Sequence, residues 1–482
     1  MQETEQVDVL IVGAGLSGIG AAAQLTREHP GRSYLVLERR EVSGGTWDLF
    51  RYPGVRSDSD MFTLGYRFKP WTDERALADA GSILGYVRET AAEYGVEEHV
   101  RYSHEVVRAD FDSSVGRWTV TVRTPEGERR IGCGFLWMCS GYYDYENGFT
   151  PQFDGVEEFT GRVVHPQHWP EDLDPTGQRF VVIGSGATAV TLVPALAEAG
   201  AAQVTMLQRS PTYVISQPAV DRAASLARRV LPERAAYALL RAKNVRVAST
   251  LYRLCQRFPG PMRRVIRAGN VALLPDGYDV DTHFNPRYGP WDQRLCLVPD
   301  ADLFSAIGRG DAEVVTDTVE TFTPTGIRTG SGRDLEADVV VTATGLNLLA
   351  FGGASFTVDS EPVDLTSTMA YKALMLSGMP NFAYTIGYTN ASWTLKADLV
   401  AEYVCRVLGH MAAHGHTTVV PVSDPAVTPE PFMDFEAGYV LRALDRLPKQ
   451  GDREPWKLRQ NYARDVRTIR HGPIDDGVLA FG

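Results

Sequence analysis

The sequence predicts an α/β protein with two Rossmann-like units, and two segments of the chain support this prediction. The first is VDVLIVGAGLSGIGAAAQLTREHPGRSYLVLERR and the second is RFVVIGSGATAVTLVPALAEAGAAQVTMLQRS. Each runs from an apolar strand through a glycine turn into an Ala/Leu-rich helix and a second apolar strand, which is the βαβ unit of a doubly wound parallel sheet. The turns open at Gly13 and Gly184, so the two units are expected to belong to separate domains.

Size and composition limit the class of protein. A chain of 482 residues is too long for one ordinary core and favours two or three domains. Its formal charge of -12 argues against nucleic acid as a partner. No apolar run is long enough for a membrane span, and the acidic N-terminus lacks the features of a signal peptide. Five scattered cysteines without a CxxC pair predict a reduced, cytoplasmic protein without disulfides or a metal site.

The first glycine turn has the residues needed to hold a pyrophosphate. Gly13 permits the tight turn, Gly15 lets the backbone approach the phosphates, and Gly18 lets the helix pack closely on the strand. The N-terminus of the helix then faces the phosphates with free N–H groups and a partial positive charge. Glu38 ends the second strand, where a carboxylate can accept hydrogen bonds from ribose hydroxyls.

The order of the two units favours FAD as the first ligand. A chain with two successive fingerprints has the layout of two-dinucleotide flavoproteins, in which the first site holds FAD. A cluster of small residues after the second strand supports this, because it allows the backbone close to a flavin. The residues predicted to contact FAD are Gly13, Gly15, Ser17, Gly18, Glu38, Gly45, Thr46, Trp47, Asp58 and Val106.

The second unit favours NADPH. No acid stands where Glu38 stands in the first unit, and a carboxylate there would repel a 2′-phosphate. Arg209 can instead pair with that phosphate and Ser210 can hydrogen-bond it. The residues predicted to contact NADPH are Gly184, Ser185, Gly186, Thr188, Ala189, Gln208, Arg209 and Ser210.

The remaining segments are assigned around these two units. We expect residues 1–150 and 346–482 to form the FAD-binding domain, 151–218 and 290–345 the NADP-binding domain, and 219–289 a helical insertion in the latter. Between Asp221 and Arg267 the insertion has about twelve Lys/Arg and two acids. This stretch is either a solvated helical face or a surface that attracts the anionic cofactor or makes peripheral contact with an anionic membrane.

FAD and NADPH together leave several redox functions open. A disulfide reductase needs a cysteine pair soon after the first βαβ unit, and no cysteine precedes Cys133. A reductase that passes electrons to a partner protein needs no special motif. A monooxygenase needs a pocket that excludes water. The residues considered so far do not separate the last two.

Two further motifs resemble one family. The pattern Phe159-x-Gly161-x3-His165-x3-Trp169-Pro is similar to the fingerprint of Baeyer–Villiger monooxygenases, whereas the related flavin-containing N- and S-oxygenases lack the tryptophan. Gly44-Gly45-x-Trp47-x4-Tyr-Pro-Gly-x3-Asp58 resembles the second, longer fingerprint of the family. The similarity covers essentially the whole chain and is greatest to the ethionamide-activating subgroup.

The resemblance implies a reaction and two catalytic residues. NADPH reduces FAD, O₂ adds to give a C4a-peroxyflavin, and this attacks a ketone to give an ester. A sulfide or a thioamide, oxygenated at sulfur, is an alternative small-molecule substrate, and a flavin-containing N/S-monooxygenase is the alternative enzyme. The arginine and acid of the family map onto Arg294 and Asp58. Gln293 departs from the lysine that many members have, so the preference for NADPH is expected to rest on Arg209 and Ser210.

Overall fold

The computed structural model describes residues 5–293, 295–433 and 437–482, and its larger sheet has nine strands. These strands are β1 (Glu5–Val12), β2 (Tyr34–Leu37), β3 (Val100–Arg101), β4 (Glu105–Asp112), β5 (Arg117–Thr124), β6 (Gly127–Met138), β19 (Ser355–Val358), β20 (Glu361–Pro362) and β23 (Phe382–Tyr384). Their order is β20-β19-β4-β5-β6-β1-β2-β3, and β23 also pairs with β6.

Parallel pairing at the centre of this sheet explains the apolar character of β1. This strand lies between β2 and β6, parallel to both, and Val9, Leu10 and Ile11 are fully buried. A parallel strand covered on both faces reads as a continuous apolar run. β5 pairs antiparallel with β4 and β6, and buried apolar side chains alternate with less buried ones along it from Trp118 to Val122. The C-terminal strands β19 and β23 complete the sheet.

Helices cover the larger sheet and join the two ends of the chain. The helices associated with this half are α1 (Leu16–Glu28), α2 (Thr46–Leu49), α3 (Met61–Leu64), α4 (Ala80–Glu93), α11 (Trp393–His414), α12 (Gly438–Leu441) and α13 (Tyr462–Asp465). α1 packs against both α4 and α11. The buried apolar residues of α1, α3, α4 and α11 form one core with Val9 and Ile11 of β1, so the C-terminal helix α11 belongs to the same layer as the first glycine turn.

The second sheet is parallel throughout and repeats the design of the first. Its strands are β8 (Arg162–Val164), β9 (Arg179–Ile183), β10 (Gln203–Gln208), β13 (Ala312–Thr316) and β17 (Val339–Thr342), in the order β13-β10-β9-β17-β8. The helices α5 (Ala187–Glu198) and α10 (Asp302–Arg309) pack together beside it. The order β17-β9-β10-β13 matches β6-β1-β2-β3, which confirms the predicted pair of Rossmann-like units.

The remaining elements are a small antiparallel sheet, the helices of the insertion and three short strand pairs. The antiparallel strands β14 (Val319–Thr323), β15 (Gly326–Thr329) and β16 (Asp334–Glu336) extend the second half. Helices α6 (Arg222–Val230), α7 (Glu233–Arg257), α8 (Pro259–Leu273) and α9 (Val280–His283) lie between the paired strands β11 (Val214–Gln217) and β12 (Cys296–Pro299). Short strand pairs form from β21 (Ala370–Tyr371) with β22 (Met375–Leu376), β24 (Val419–Pro421) with β27 (Leu479–Phe481), and β25 (Pro429–Pro431) with β26 (Lys449–Gly451).

A two-stranded ribbon connects the halves. The chain leaves the first sheet through β7 (Tyr143–Gly148) and returns through β18 (Leu346–Leu348), and these two strands pair antiparallel. Across the described ranges, none of the helices has the length and apolar character required to cross a bilayer.

Candidate functional site

A cavity of about 990 Å³ extends from the first glycine turn to the second. That volume is in the range of a site for a large organic ligand. The lining includes Gly13 and Gly15 at one end and Gly184 and Gly186 at the other, with Asp58 and Trp393 also on the wall. The two fingerprints therefore open into one shared space.

The first turn is shaped as a cradle for a pyrophosphate. Gly13 has φ +105°, and a Cβ there would lie 2.6 Å from the carbonyl oxygen of Cys139. Gly15 has an ordinary φ of -82° and precedes α1, and a Cβ there would lie 3.4 Å from the Cα of Gly45. The backbone conformation at Gly15 would therefore allow a side chain, but a methyl group there would occupy the space beside Gly45. This geometry fits FAD, whose phosphates need that space and the free N–H groups of α1.

Glu38 lies at this end of the cavity in a buried position. Its Oε2 accepts a hydrogen bond from the N–H of Ala14 at 2.8 Å, and its Oε1 accepts one from the N–H of Arg40 at 3.0 Å. Burial raises the pKa of this carboxyl, while the two backbone donors act in the opposite direction. The glycine turn and the end of β2 are therefore held together by the same side chain that is predicted to bind ribose.

Other predicted FAD residues line the same end. Thr46, Trp47 and Val106 lie on the cavity wall, and the Thr46 hydroxyl is 3.2 Å from that of Tyr145. Ser17 is buried on the wall, and its Oγ accepts a hydrogen bond from Nε1 of Trp393 at 2.7 Å. Trp393 is the first residue of α11, so the C-terminal helix contributes to the site next to the first turn.

Gly18 has a packing role in this turn. A Cβ at this position would lie 1.7 Å from the carbonyl oxygen of Gly13, so only glycine fits. Ala189 is the corresponding small residue of the second unit and is fully buried in the core of α5. Neither residue is among the described residues that line the cavity.

The second turn repeats the geometry of the first. Gly184 has φ +144°, and a Cβ there would lie 2.3 Å from the carbonyl oxygen of Ala343. Gly186 precedes α5 with φ -79°, and a Cβ there would meet nothing within 4 Å. Ser185 and Thr188 lie on the wall beside it. The turn therefore offers the N-terminus of α5 to a second pyrophosphate.

Of the three residues at the end of β10 that are predicted to contact the second cofactor, two line the cavity and one is buried. Arg209 and Ser210 are exposed and line the cavity. Gln208 is buried, and its Nε2 donates hydrogen bonds to the carbonyl oxygen of His283 and to Oγ1 of Thr316. Gln208 is not among the described lining residues, so the structure gives its side chain a role in fastening β10 to neighbouring elements.

The longer fingerprint joins the first half to α5. Burial raises the pKa of Tyr52 to about 12, and its hydroxyl makes a hydrogen bond with Thr188. Gly54 has φ +75°, and a Cβ there would lie 2.6 Å from the Cβ of Ala195. The Tyr-Pro-Gly segment thus packs directly on the helix of the second unit. Asp58 follows it on the cavity wall, half-buried.

The shorter fingerprint organises the connection between the halves. Nδ1 of His165 accepts the N–H of Gln167 at 3.2 Å, so Nε2 is the protonated nitrogen and donates to the carbonyl oxygen of Gly345 at 3.2 Å. A Cβ at Gly148 would lie 2.1 Å from the His165 ring. This histidine therefore fixes the ends of both strands of the ribbon. Burial lowers its pKa, which favours the neutral ring that these hydrogen bonds require.

The remaining residues of that fingerprint also have packing roles. A Cβ at Gly161 would lie 2.3 Å from the carbonyl oxygen of Asp338 and 2.5 Å from the ring of Phe159. Trp169 packs against the core of the second half. None of the four fingerprint residues is among the described residues that line the cavity.

Arg294 lies outside the described residues, so the structure does not place the predicted catalytic arginine. Its neighbour Gln293 lines the cavity. Asp58, the predicted acid, lines the same cavity.

Sequence reasoning missed the residues that follow the strand beside each turn. Cys139, Ser140 and Gly141 follow β6, and Ala343, Thr344 and Gly345 follow β17; all six line the cavity. A signal was present, because both apolar strands end in a small residue, a hydroxyl residue and glycine. The first glycine of each turn packs against the carbonyl oxygen of the first residue of that triplet, Gly13 against Cys139 and Gly184 against Ala343.

One cavity with two pyrophosphate cradles defines the class, a flavoprotein that uses two dinucleotides. Comparison with known proteins agrees. The profile described as "Flavin-binding monooxygenase-like" matches residues 70–252, and "NAD(P)-binding Rossmann-like domain" matches residues 11–70. The FAD-containing monooxygenase EthA of Mycobacterium tuberculosis (strain CDC 1551 / Oshkosh) is 58% identical over 481 residues, covering 99% of this chain and 98% of the relative. EthA of Mycolicibacterium smegmatis is 54% identical over 479 residues, covering 99% and 97%.

Solved structures share the fold at low identity. A steroid monooxygenase bound to NADP superposes with a TM-score of 0.75 at 22% identity, covering 99% of each chain. Cyclohexanone monooxygenase superposes with a TM-score of 0.76 at 19% identity, covering 99% of this chain and 100% of the other.

The chain belongs to the family of FAD-containing monooxygenases that includes EthA. The predictions of its fold class, of its family and of an FAD-dependent monooxygenase are confirmed.

Proposed function

We propose that the chain is an NADPH-dependent Baeyer–Villiger monooxygenase. The balanced reaction is ketone + O₂ + NADPH + H⁺ → ester + H₂O + NADP⁺. The observation that supports it is the shared cavity, which brings both glycine turns, Asp58 and Trp393 to one space. A sulfide is a second substrate class for the same site, with sulfoxide as product.

The residues of the first half would hold FAD. The N–H groups at the start of α1 would bind its pyrophosphate, and Glu38 would accept its ribose hydroxyls. Ser17 and Trp393, which are hydrogen-bonded to each other, would set the wall next to that turn. When bound, FAD supplies hydride acceptance and O₂ activation. The protein contributes position and exclusion of water, which strengthen electrostatic interactions in the site.

The residues of the second half would hold NADPH. The start of α5 would bind its pyrophosphate, and Arg209 with Ser210 would bind its 2′-phosphate. Arg209 makes no ion pair with any acid of the described ranges, and it lies at the cavity edge with its charge available. This arrangement supports a preference for NADPH over NADH.

Asp58 and Arg294 are proposed as the catalytic pair, on the strength of the family resemblance. An arginine remains protonated, so it can stabilise negative charge that develops on oxygen without losing its proton. Asp58 on the cavity wall would orient it. Replacing Arg294 by Ala should lower the oxygenation rate at least about a hundredfold while FAD binding persists.

We retain the domain division proposed from the sequence: 1–150 with 346–482 for FAD, and 151–218 with 290–345 for NADP, with the insertion at 219–289. The entry of β19 and β23 into the first sheet supports it. We also place the enzyme in the cytoplasm, a proposal supported by the five free, buried cysteines.

Product analysis under ¹⁸O₂ tests the function. Purified enzyme is supplied with NADPH and a panel of linear and cyclic ketones and aryl sulfides. An ester with one ¹⁸O atom supports the proposal, and labelled sulfoxides with no ester from any ketone would assign the chain to heteroatom oxygenation. NADPH oxidation that yields only hydrogen peroxide, together with rapid reduction of an added electron-carrier protein, would favour the reductase alternative.

A further inference from the structure

The helical insertion has an outer surface that the proposed reaction does not use. Ten of the sixteen large hydrophobic residues exposed in the described part of the chain lie between Leu226 and Leu273. None of the residues from 219 to 289 is among the described residues that line the cavity. Concentrated exposed apolar side chains of this kind mark an interaction surface.

Charge and apolar character occur together on α7 and α8. The basic face is defined here by eight exposed residues: Arg246, Val247, Arg253, Leu254, Arg257, Phe258, Arg264 and Val265. Phe258, at the corner between the two helices, is 51% exposed, and Val265 is 62% exposed. The only acid between residues 222 and 273 is Glu233. The protein as a whole has a charge of -12, so this local positive charge is opposite in sign to the rest.

The helix period explains why the three arginines of α7 share one face. Arg246, Arg253 and Arg257 are separated by seven and four residues, so they lie along one line of α7. Tyr237 and Arg241 lie on the opposite side, where both are buried. The fold therefore uses one side of α7 for packing and leaves the other side in solvent.

The arginines of the basic face are not neutralised by their surroundings. Within the described ranges, none of the four lies at ion-pair distance from an acidic side chain, whereas nearby Arg267 pairs with Asp281 at 2.6 Å. A two-fold contact between copies through this face would bring the same unpaired arginines together, which disfavours a second copy as its partner. A partner with a negatively charged surface and an apolar interior would bind both the arginines and the apolar residues of the basic face.

We propose that the basic face docks the enzyme on an anionic phospholipid membrane. Arginines on a helix lying at a bilayer surface contact lipid phosphates, while Leu, Val and Phe enter the boundary between headgroups and acyl chains. Phe258, Leu254 and Val265 are the apolar anchors. The four arginines supply the attraction to anionic headgroups, and their long side chains reach outward from the apolar surface.

Vesicle flotation with the FAD-loaded enzyme tests this proposal. The vesicles are either phosphatidylcholine alone or a mixture with phosphatidylglycerol. The enzyme should float with the anionic vesicles and remain in solution with the neutral ones. Binding should weaken at high salt, because an exposed charge is screened beyond about 10 Å at 0.1 M ionic strength.

Two sets of variants assign the binding to this face. Arg253→Glu/Arg257→Glu should weaken partitioning at least about twentyfold, since each arginine near an anionic surface contributes about fivefold. Phe258→Ser should weaken binding while leaving its salt dependence intact. The matched control is Arg129→Glu/Arg130→Glu, which reverses two exposed charges on β6 and should bind as the wild type does.

Several results would overturn the proposal. These are failure of the wild type to float with anionic vesicles, equal loss of binding in the control, and unchanged binding by the α7 variant. Light scattering on the same samples detects one further outcome. If the wild type is an oligomer, the α7 variant is a monomer and neither binds vesicles, the basic face is a contact between copies of the enzyme. Retained NADPH oxidation in solution shows that each variant is folded.

Discussion

Arg241 provides the sharpest test of how the insertion supports the site. Its Nη1 donates to the carbonyl oxygens of Gly65 at 2.6 Å and Phe62 at 3.0 Å, and its Nη2 donates to Oδ2 of Asp398 at 2.7 Å. The guanidinium thus closes the end of α3, a short helix that follows Asp58, and ties it to α11. Both members of the ion pair are buried.

Arg241→Met keeps the length of the side chain and removes its charge and donors. Breaking a buried ion pair by removing one partner costs about 3–5 kcal/mol, because the remaining charge is left uncompensated. Burial raises the pKa of the Asp398 carboxyl, and the Arg241 guanidinium opposes this by favouring the ionised form. In the variant the cost of that charge should fall as pH decreases, because the carboxyl then takes up a proton; the variant should gain relative stability from pH 8 towards pH 6.

The assay is the release of FAD by urea, which is monitored by flavin fluorescence. It is applied to a double-mutant cycle. Arg241→Met/Asp398→Asn removes both charges and leaves an amide oxygen to accept from the N–H of Arg67, as Asp398 does at 3.0 Å. The double variant should be more stable than Arg241→Met alone. The control is Arg246→Met on the exposed side of the same helix, with a change within about 0.5 kcal/mol. A supporting role for Arg241 is contradicted if Arg241→Met matches that control, or if the effects of Arg241→Met and Asp398→Asn simply add.

Three further outcomes follow from the site. Gly15→Ala should lower FAD content and Gly186→Ala should raise KM for NADPH. The control is Gly31→Ala, because a Cβ at Gly31 meets nothing within 4 Å and Gly31 is not among the described residues that line the cavity; titration with each cofactor checks this. Arg209→Ala should raise KM for NADPH about tenfold and leave KM for NADH nearly unchanged; equal effects would contradict it. His165 has a lowered pKa, so its contribution to stability is present above about pH 6.5 and is lost as pH falls through the folded value; His165→Asn should flatten the pH dependence of melting below pH 6.5.

The glycine turns were predictable because their chemistry is local. A tight turn, a short distance to the next helix and an apolar strand on each side all leave marks within about thirty residues of sequence. The structure adds the reason for Gly13 and Gly184, which is the carbonyl of a neighbouring strand that lies more than a hundred residues away in the chain. That contact depends on strand order, so the Cys-Ser-Gly and Ala-Thr-Gly triplets escaped prediction.

Other parts of the site depend on packing between distant segments. Gln208 stands next to Arg209, yet strand alternation turns its side chain into the interior, where His283 and Thr316 bind it. Trp393 reaches Ser17 only because α11 packs on α1. The sequence shows each of these residues but not the face it occupies, because that face is decided by partners outside the local pattern.

The ribbon of β7 and β18 has a mechanical consequence. A pair of antiparallel strands twists and bends readily, whereas its hydrogen bonds resist separation along and across the strands. Nearby, His165 contacts the position of Gly148 at the end of one strand and binds the carbonyl of Gly345 before the other. The ribbon, with His165 at its end, therefore ties the two halves together beside the cavity that both glycine turns line.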